Sequence, residues 1–357
     1  MVLLYFVALS ATLEQCYSFS SDQLLKHDNF TFQKGSSVIL NLSGNVYRKG
    51  YYYATVHVGN PPRPYFLNII ISWIQCDAPC TKCLPAPHPL YKPSKDIVKC
   101  VDPFCALFRG SGDESIKVAC GSPKEQCVTE VITHFSVSQN VIVRDLFHLK
   151  LTNGNTVIPR LALGCGFDQE VNGRDHPPYT DGVLGLRNRN TTILAQLHKL
   201  GLMQNKFSHC FSAQEGGYLV MGDNIFPSSG IVWAPMFSMS DFYTLGPAEL
   251  QYDDQATGLE GLLVIFDSGS TYTHISYPAF GALFHMVNKT ANQNQLNYVY
   301  ANETLPSCWK GTKAFNSIRD VKNLFKLLVF NFTNSSNVQL SYLLKRILLS
   351  QIVDTCA

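Results

Sequence analysis

The chain has 357 residues, 46% hydrophobic and 12% aromatic, enough to fill the cores of two ordinary domains. Charged residues make up only 15%, below the roughly 25% of an average soluble protein. The 28 basic residues against 26 acidic leave a net charge of +2. With no long run of one sign, this composition argues against a disordered chain and against nucleic acid as a partner.

The opening run Met1-Val2-Leu3-Leu4-Tyr5-Phe6-Val7-Ala8-Leu9-Ser10-Ala11 is too short to span a bilayer. It reads as a signal-peptide core, although it lacks the usual basic start, and residues 1–17 are assigned to the leader with a cut between Ala11 and Ser18. No transmembrane segment is expected. Seven Asn-x-Ser/Thr acceptors (Asn29, Asn41, Asn190, Asn288, Asn302, Asn331, Asn334) and twelve cysteines agree with the secretory pathway, and so with an extracellular or vacuolar destination. A cut after Cys16 leaves eleven cysteines, at least one of them unpaired.

Tyr53 to Val58 and Tyr65 to Ile71 alternate or run apolar between Gly, Asn and Pro punctuation, as paired strands do. From Cys76 to Cys127 the chain holds Cys76, Cys80, Cys83, Cys100, Cys105, Cys120 and Cys127. This is either a disulfide-stapled insertion or a zinc site that would recruit His88. An oxidising compartment favours disulfides, with Cys165, Cys210 and Cys308 as further candidates, but spacing does not give the connectivity. No metal is assigned. Thr192 to Leu200 is expected to be helical, capped by Asn190 or Thr191 in front and Gly201 behind.

The apolar run Leu262-Leu263-Val264-Ile265 leads into Phe266-Asp267-Ser268-Gly269-Ser270-Thr271. A strand that carries an Asp into a tight Ser-Gly turn is either an ordinary Asx-turn at a strand end or the half-site of an acid protease; in the second reading Asp267 is the candidate catalytic carboxylate, with Ser268, Gly269, Ser270 and Thr271 as its supporting turn. The chemistry needs two such carboxylates, because a pair about 3 Å apart cannot both ionise and so divides the acid and base roles on one water. This chain contains no second Asp-Thr/Ser-Gly. A helix is expected over about Tyr277 to Val287, with Phe280, Leu283, Phe284 and Val287 on one face. After Asn337, the spacing of Leu340, Leu343, Leu344, Ile347 and Leu348 predicts an amphipathic helical tail over 338–357.

Gly50-Tyr51-Tyr52, Val58-Gly59-Asn60-Pro61-Pro62-Arg63, Trp73-Ile74-Gln75-Cys76-Asp77-Ala78-Pro79-Cys80, Pro87-His88-Pro89-Leu90-Tyr91, Leu163-Gly164-Cys165-Gly166, Asp181-Gly182-Val183-Leu184-Gly185-Leu186 and Phe266 to Thr273 together resemble the pepsin-like aspartic proteases. The likeness is to the plant nepenthesin-like type, in the subgroup with a Gln-Cys-Asp-Ala-Pro-Cys signature. It implies an all-β, bilobal fold with a few short helices, each lobe giving one Asp, and a β-hairpin flap over an inter-lobe cleft that takes a peptide or protein substrate or ligand. The expected division is an N-terminal lobe over 36–210 with the Cys-rich insertion 76–127, and a C-terminal lobe over 211–337 left incomplete by the tail. The resemblance calls for no cofactor and for a monomer.

The chain departs from that family in three places. Where the family carries Asp-x-Asp-Thr-Gly-Ser, residues 68–72 are Asn-Ile-Ile-Ile-Ser. Asp77 is additional to the catalytic Asp in the family, so it is read as structural. The flap segment has Thr133 where a Tyr is expected and no tip glycines; His134 and Phe135 are its nearest substitutes. The apolar-apolar-Gly-Asp element of the second lobe has no counterpart. The sequence therefore predicts an aspartic endopeptidase by descent with impaired catalysis; the alternatives are a non-catalytic peptide- or protein-binding relative and a truncated product without stable function. Gly-x-Ser-x-Gly is absent, and Cys165 between two glycines is expected in a disulfide rather than as a nucleophile.

Overall fold

The computed structural model describes residues 3–6, 37–45, 49–69, 73–77, 84–93, 95–109, 115–132, 136–171, 180–212, 215–222, 232–237, 241–268, 273–300, 307–312, 324–334 and 338–343. These form two compact units, one from the described residues between 37 and 222, the other from residues 3–6 and 232–343. The first strand of the chain, β1 (Leu3–Phe6), lies in the C-terminal unit.

The N-terminal unit begins with β2 (Ser37–Asn45), β3 (Tyr51–Val58), β4 (Arg63–Asn68) and β5 (Trp73–Gln75). A short helix α1 (Pro103–Arg109) follows, then β6 (Ile116–Ala119), β7 (Val128–Ile132), the long β8 (Ser136–Lys150), β9 (Thr156–Val157), β10 (Arg160–Val171) and β11 (Gly182–Val183). Helix α2 (Ile193–Lys199), β12 (Phe207–Phe211) and β13 (Gly217–Gly222) complete it. Its sheet runs β12-β13-β2-β3-β4-β11-β5-β10-β8-β7-β6, and β3 also pairs with β8 through His57↔His148 and Val58↔Phe147. The two-residue period buries Ala54, Val56 and Val58 on β3 and Tyr65 and Leu67 on β4, while Thr55 and His57 stay exposed.

Because β13 pairs along its whole length with β2, residues 211–222 belong to the first unit. The division between the units therefore falls after residue 222 and not at the expected 210/211. Helix α2 begins one residue later than expected: its cap is Thr192, whose Oγ1 accepts from Ala195 N at 3.3 Å, and neither Asn190 nor Thr191. Gly201, at φ 69°, ends the helix as expected. Gln196 ties α2 to β10, accepting from Ala162 N at 2.8 Å and donating to Ala162 O at 2.9 Å.

Helix α1 starts behind Asp102, whose Oδ1 accepts from Phe104 N at 2.8 Å and whose carboxylate takes Arg144 Nη2 at 2.8–2.9 Å. Partial burial opposes ionisation of Asp102, but the Phe104 N–H and the Arg144 guanidinium outweigh it and hold the carboxyl below its ordinary value of 3.8.

The C-terminal unit sets the sheet β1-β15-β14-β18-β19 against one helix. Its members are β14 (Tyr243–Tyr252), β15 (Gln255–Phe266), α3 (Tyr277–Gln293), the hairpin β16 (Asn297–Tyr300) and β17 (Ser307–Lys310), then β18 (Leu327–Phe332) and β19 (Gln339–Leu343). Helix α3 runs well past the expected end at Val287. Its buried stripe is Ala279, Leu283, Val287 and Ala291, with Phe280 39% exposed at the flank. Leu283, Val287 and Ala291 of that stripe pack on Ala248, Leu250, Leu262, Val264, Leu328 and Phe330 from the sheet.

The tail is not helical where it is described. Residues 339–343 form β19, antiparallel to β18 in the register Leu327↔Leu343 to Asn331↔Gln339. Val338 and Leu340, two apart, pack on the core; the edge of β18 imposes the strand period on a segment whose leucine spacing suits a helix. Residues 344–357 lie outside the described residues.

Two outcomes are expected. Leu340→Ala lowers the stability of the C-terminal unit by about 1–3 kcal/mol in urea unfolding, whereas Gln339→Ala stays within about 0.5 kcal/mol. The Asp102 carboxyl, lower in the folded than in the unfolded chain, contributes stability that is complete above the unfolded value and disappears as pH falls through the folded one. The difference in melting temperature between the parent and Asp102→Asn is therefore expected to shrink as the solution is acidified through that range.

Candidate active site

In the N-terminal unit, β11 is inserted between β4 and β5. It runs parallel to β4 (Gly182↔Leu67, Val183↔Asn68) and antiparallel to β5 (Gly182↔Ile74, Val183↔Trp73). The chain passes from the end of β4 to the start of β5 through residues 69–72, Ile-Ile-Ile-Ser, a crossing of which only Ile69 lies among the described residues. Gly182 is required here by contact: a Cβ would collide with the Trp73 carbonyl oxygen. Asn68 is buried at the lip, its Oδ1 accepting from Ile69 N at 2.7 Å, and Ile69 itself is 1% exposed.

Asp181 ties together the strands on either side of this crossing. Its buried carboxylate accepts from Phe66 N at 2.6 Å and His88 N at 2.9 Å, and His88 Nδ1 lies 2.7 Å from Oδ2. Its backbone carbonyl accepts from Gln75 N, while its own N–H donates to Phe66 O. One residue thus fixes β4, β5 and the 84–91 segment. The disulfide Cys76–Cys165 joins β10 to the end of β5, where Cys76 N also donates to Gly166 O.

In the C-terminal unit, β15 delivers Asp267. The last rung before it is Tyr243↔Phe266 on one side and Phe6↔Phe266 on the other. Asp267 and Ser268 are both half-buried; Gly269, Ser270 and Thr271 lie outside the described residues. Burial pushes the Tyr243 hydroxyl up to about 12, so across from this turn it remains a neutral donor at any physiological pH.

The other candidates divide clearly. Cys100 pairs with Cys120 and Cys105 with Cys127, and Cys210 and Cys308 are disulfide-bonded as well. The sulfurs of Cys100, Cys105 and Cys120 cluster closely enough to suggest a metal site, but each is consumed in an S–S bond, and His88 faces Asp181. Cys80 and Cys83 lie outside the described residues, as do Thr133, His134 and Phe135 at the tip of the β7–β8 hairpin. Asp77 is half-exposed and sits 3.6 Å from Lys92, a surface pair. Asp145 is buried, accepting from Tyr91 Oη at 2.6 Å and Leu146 N at 2.8 Å.

Among the glycan acceptors, Asn41 and Asn190 are exposed. Asn288 accepts from Trp309 Nε1 at 2.9 Å, Asn331 has a buried Oδ1 within β18, and Asn334 Nδ2 donates to Gly246 O at 3.2 Å. Asn29 and Asn302 lie outside the described residues.

From sequence alone His88 enters only as a zinc ligand in the disfavoured metal alternative, and its pairing with Asp181 is missed; the signal is the Asp that opens Asp-Gly-Val-Leu-Gly. Breaking that buried pair by Asp181→Ala is expected to cost about 3–5 kcal/mol of unfolding free energy, and Asp77→Ala less than about 1 kcal/mol. Denaturant midpoints of the two variants against the parent measure both.

Residues 52–223 match the family described as Xylanase inhibitor N-terminal. An aspartic proteinase of Oryza sativa subsp. japonica is 37% identical over 311 residues, which cover 84% of this chain and 75% of the rice protein. Among solved structures, Basic 7S globulin from soybean superposes with a TM-score of 0.60 at 14% identity, over 86% of this chain and 81% of that one. The aspartic proteinase from Irpex lacteus gives 0.53 at 16% identity, over 87% and 79%. At such identities the two structures report the fold, which is the expected all-β pepsin-like one with few helices. The rice protein reports descent: this chain belongs to the pepsin-like aspartic protease family.

Proposed function

We propose that this chain is an aspartic endopeptidase by descent whose peptide-bond hydrolysis is lost or strongly reduced, and that it retains the binding of extended peptide segments. The observation that carries this reading is the crossing between β4 and β5. The Asp267 turn supplies one carboxylate, and residues 69–72 supply none. The carboxylates near that crossing are committed elsewhere: Asp181 to Phe66 and His88, Asp145 to Tyr91 and Leu146, Asp77 to Lys92. A lone Asp267 holds a water as either acid or base but does not divide both roles.

The Gln75-Cys76-Asp77-Ala78-Pro79-Cys80 signature and the dense disulfides support placement in the nepenthesin-like subgroup. Together with the apolar start and the Asn-x-Ser/Thr acceptors, they support passage through the secretory pathway to the extracellular space or a vacuole. The expected assembly is a monomer that needs no cofactor. Among the described residues, no helix is long and apolar enough to cross a membrane.

Loss of one positioned acid or base costs roughly 10²- to 10⁴-fold in rate. The full chain is therefore expected to cleave a quenched peptide at acidic pH at least about 10²-fold more slowly than a two-Asp relative, with no further loss in Asp267→Asn. Turnover that a statine-type inhibitor blocks and Asp267→Asn abolishes would overturn the proposal.

A further inference from the structure

In the C-terminal unit, Asn288 of α3 is half-buried, and its side-chain oxygen accepts from Trp309 Nε1 of β17 at 2.9 Å. An indole nitrogen only donates, so the bonded atom of the Asn288 amide must be its oxygen. The indole is itself held between Phe284 and Phe325, whose ring centroids lie 5.7 and 6.0 Å from it. The planar amide therefore turns Nδ2 away from Trp309, and Nδ2 has no hydrogen-bond partner among the described residues. Asn288 also borders an open depression of about 480 Å³, lined by His285, Asn288, Lys289, Asn292 and Gln293. That size lies within the roughly 300–1,000 Å³ of sites that take small ligands. The five positions recur at three- and four-residue spacing and so share one face of the helix. The side chains of His285, Lys289, Asn292 and Gln293 are exposed and make no hydrogen bond or ion pair with any described residue.

We propose that Asn288 carries an N-linked oligosaccharide and that its first N-acetylglucosamine residues lie in this depression, hydrogen-bonded to the side chains of His285, Lys289, Asn292 and Gln293. Asn288-Lys289-Thr290 is an acceptor triplet for such a sugar. In the transfer, Nδ2 forms a bond to C1 of a lipid-diphosphate-linked oligosaccharide, the C1–O bond to phosphate breaks, the lipid diphosphate leaves and one Nδ2 proton passes to a base. Nδ2 keeps one hydrogen and Oδ1 keeps its lone pairs, so the bond from Trp309 survives and fixes the direction in which the sugar leaves the helix. The Thr290 hydroxyl, which the triplet requires, is buried in the folded helix and donates to Met286 O at 3.2 Å. Transfer therefore precedes the folding of α3. Two carboxamides, an imidazole and an ammonium match the hydroxyl and N-acetyl groups of a pyranose, which need both donors and acceptors. This inference goes beyond the peptidase reading and rests on the passage through the secretory pathway proposed above.

The test uses the full chain, expressed in plant cells with a mannosidase inhibitor so that every sugar stays of the oligomannose type, and site-by-site glycopeptide mass spectrometry. Asn288 is expected to be occupied in most molecules. An endoglycosidase that cuts between the first two sugars is then applied to the native chain. It is expected to release the Asn288 sugar at least about fivefold more slowly than from the variant Asn292→Ala/Gln293→Ala, as the loss of one hydrogen-bonded contact gives. The two positions are exposed and alanine favours a helix, so the variant keeps the fold. Equal release rates overturn the seating of the sugar. An unmodified Asn288 in chain that has entered the secretory pathway overturns this inference alone, and a chain that stays in the cytosol overturns the secretory reading with it.

Discussion

The buried carboxylate of Asp181 is the constraint on which the N-terminal unit depends. It saturates its oxygens with two backbone N–H groups and an imidazole, and its own peptide groups bond to β4 and β5. A buried charge is tolerated only when its lone pairs are satisfied in this way. Once they are, the order β4-β11-β5 follows, because Asp181 immediately precedes β11 and cannot keep these partners unless Gly182 and Val183 run between the two strands. The requirement for glycine at 182 and the position of Trp73 are consequences of that one placement. None of these bonds uses a reacting group, so the scaffold around the crossing is independent of whether chemistry happens there.

The two units solve the same mechanical problem with different parts. In the N-terminal unit, the strand entering the crossing, β4, has antiparallel β3 on one side and parallel β11 on the other. In the C-terminal unit, β15 has antiparallel β14 on one side and parallel β1 on the other, with Leu3–Phe6 opposite Leu263–Phe266. A strand that ends in a functional turn needs both edges paired, since an open edge next to the turn would leave backbone groups unsatisfied and the Asp poorly aimed. In one unit that partner comes from the Asp-Gly-Val segment, and in the other from the first residues of the chain, the same run that reads in sequence as a leader core.

Much of this was legible in the sequence because it is local. The alternation of residues 53–58 and 65–67 fixes two strands and their inward faces, and the apolar run before Asp267 marks a strand that ends at a turn. The stripe of α3 was recognisable from Leu283 and Val287, though the helix continues to Gln293 because Ala291 extends the same face. What was not legible depends on partners distant in sequence. The spacing of Leu340 and Leu343 suits a helix, and only the edge of β18 makes residues 339–343 a strand. The role of His88 was hidden because its carboxylate lies 93 residues away. Cysteine spacing showed that the 76–127 region is stapled but not that Cys76 reaches Cys165. Helix α1 escaped notice since its seven residues carry no clear period, and its start depends on Arg144, 42 residues beyond Asp102.

The absence of a carboxylate from residues 69–72 also has an energetic side. A catalytic pair places two acids within about 3 Å in a poorly hydrated floor, so the fold must hold like charges together and desolvate both. A crossing of three isoleucines and a serine carries no such cost, and Ile69, at 1% exposure, contributes apolar burial in its place. Catalytic strain and stability commonly oppose one another, so a family member released from the need for the pair is expected to gain stability at this crossing rather than lose it. The Asp181 network, the Cys76–Cys165 bond and the paired edges of β4 hold the strands on either side, whatever residues the crossing carries. The frame around the crossing is thus held by groups that take no part in acid–base chemistry.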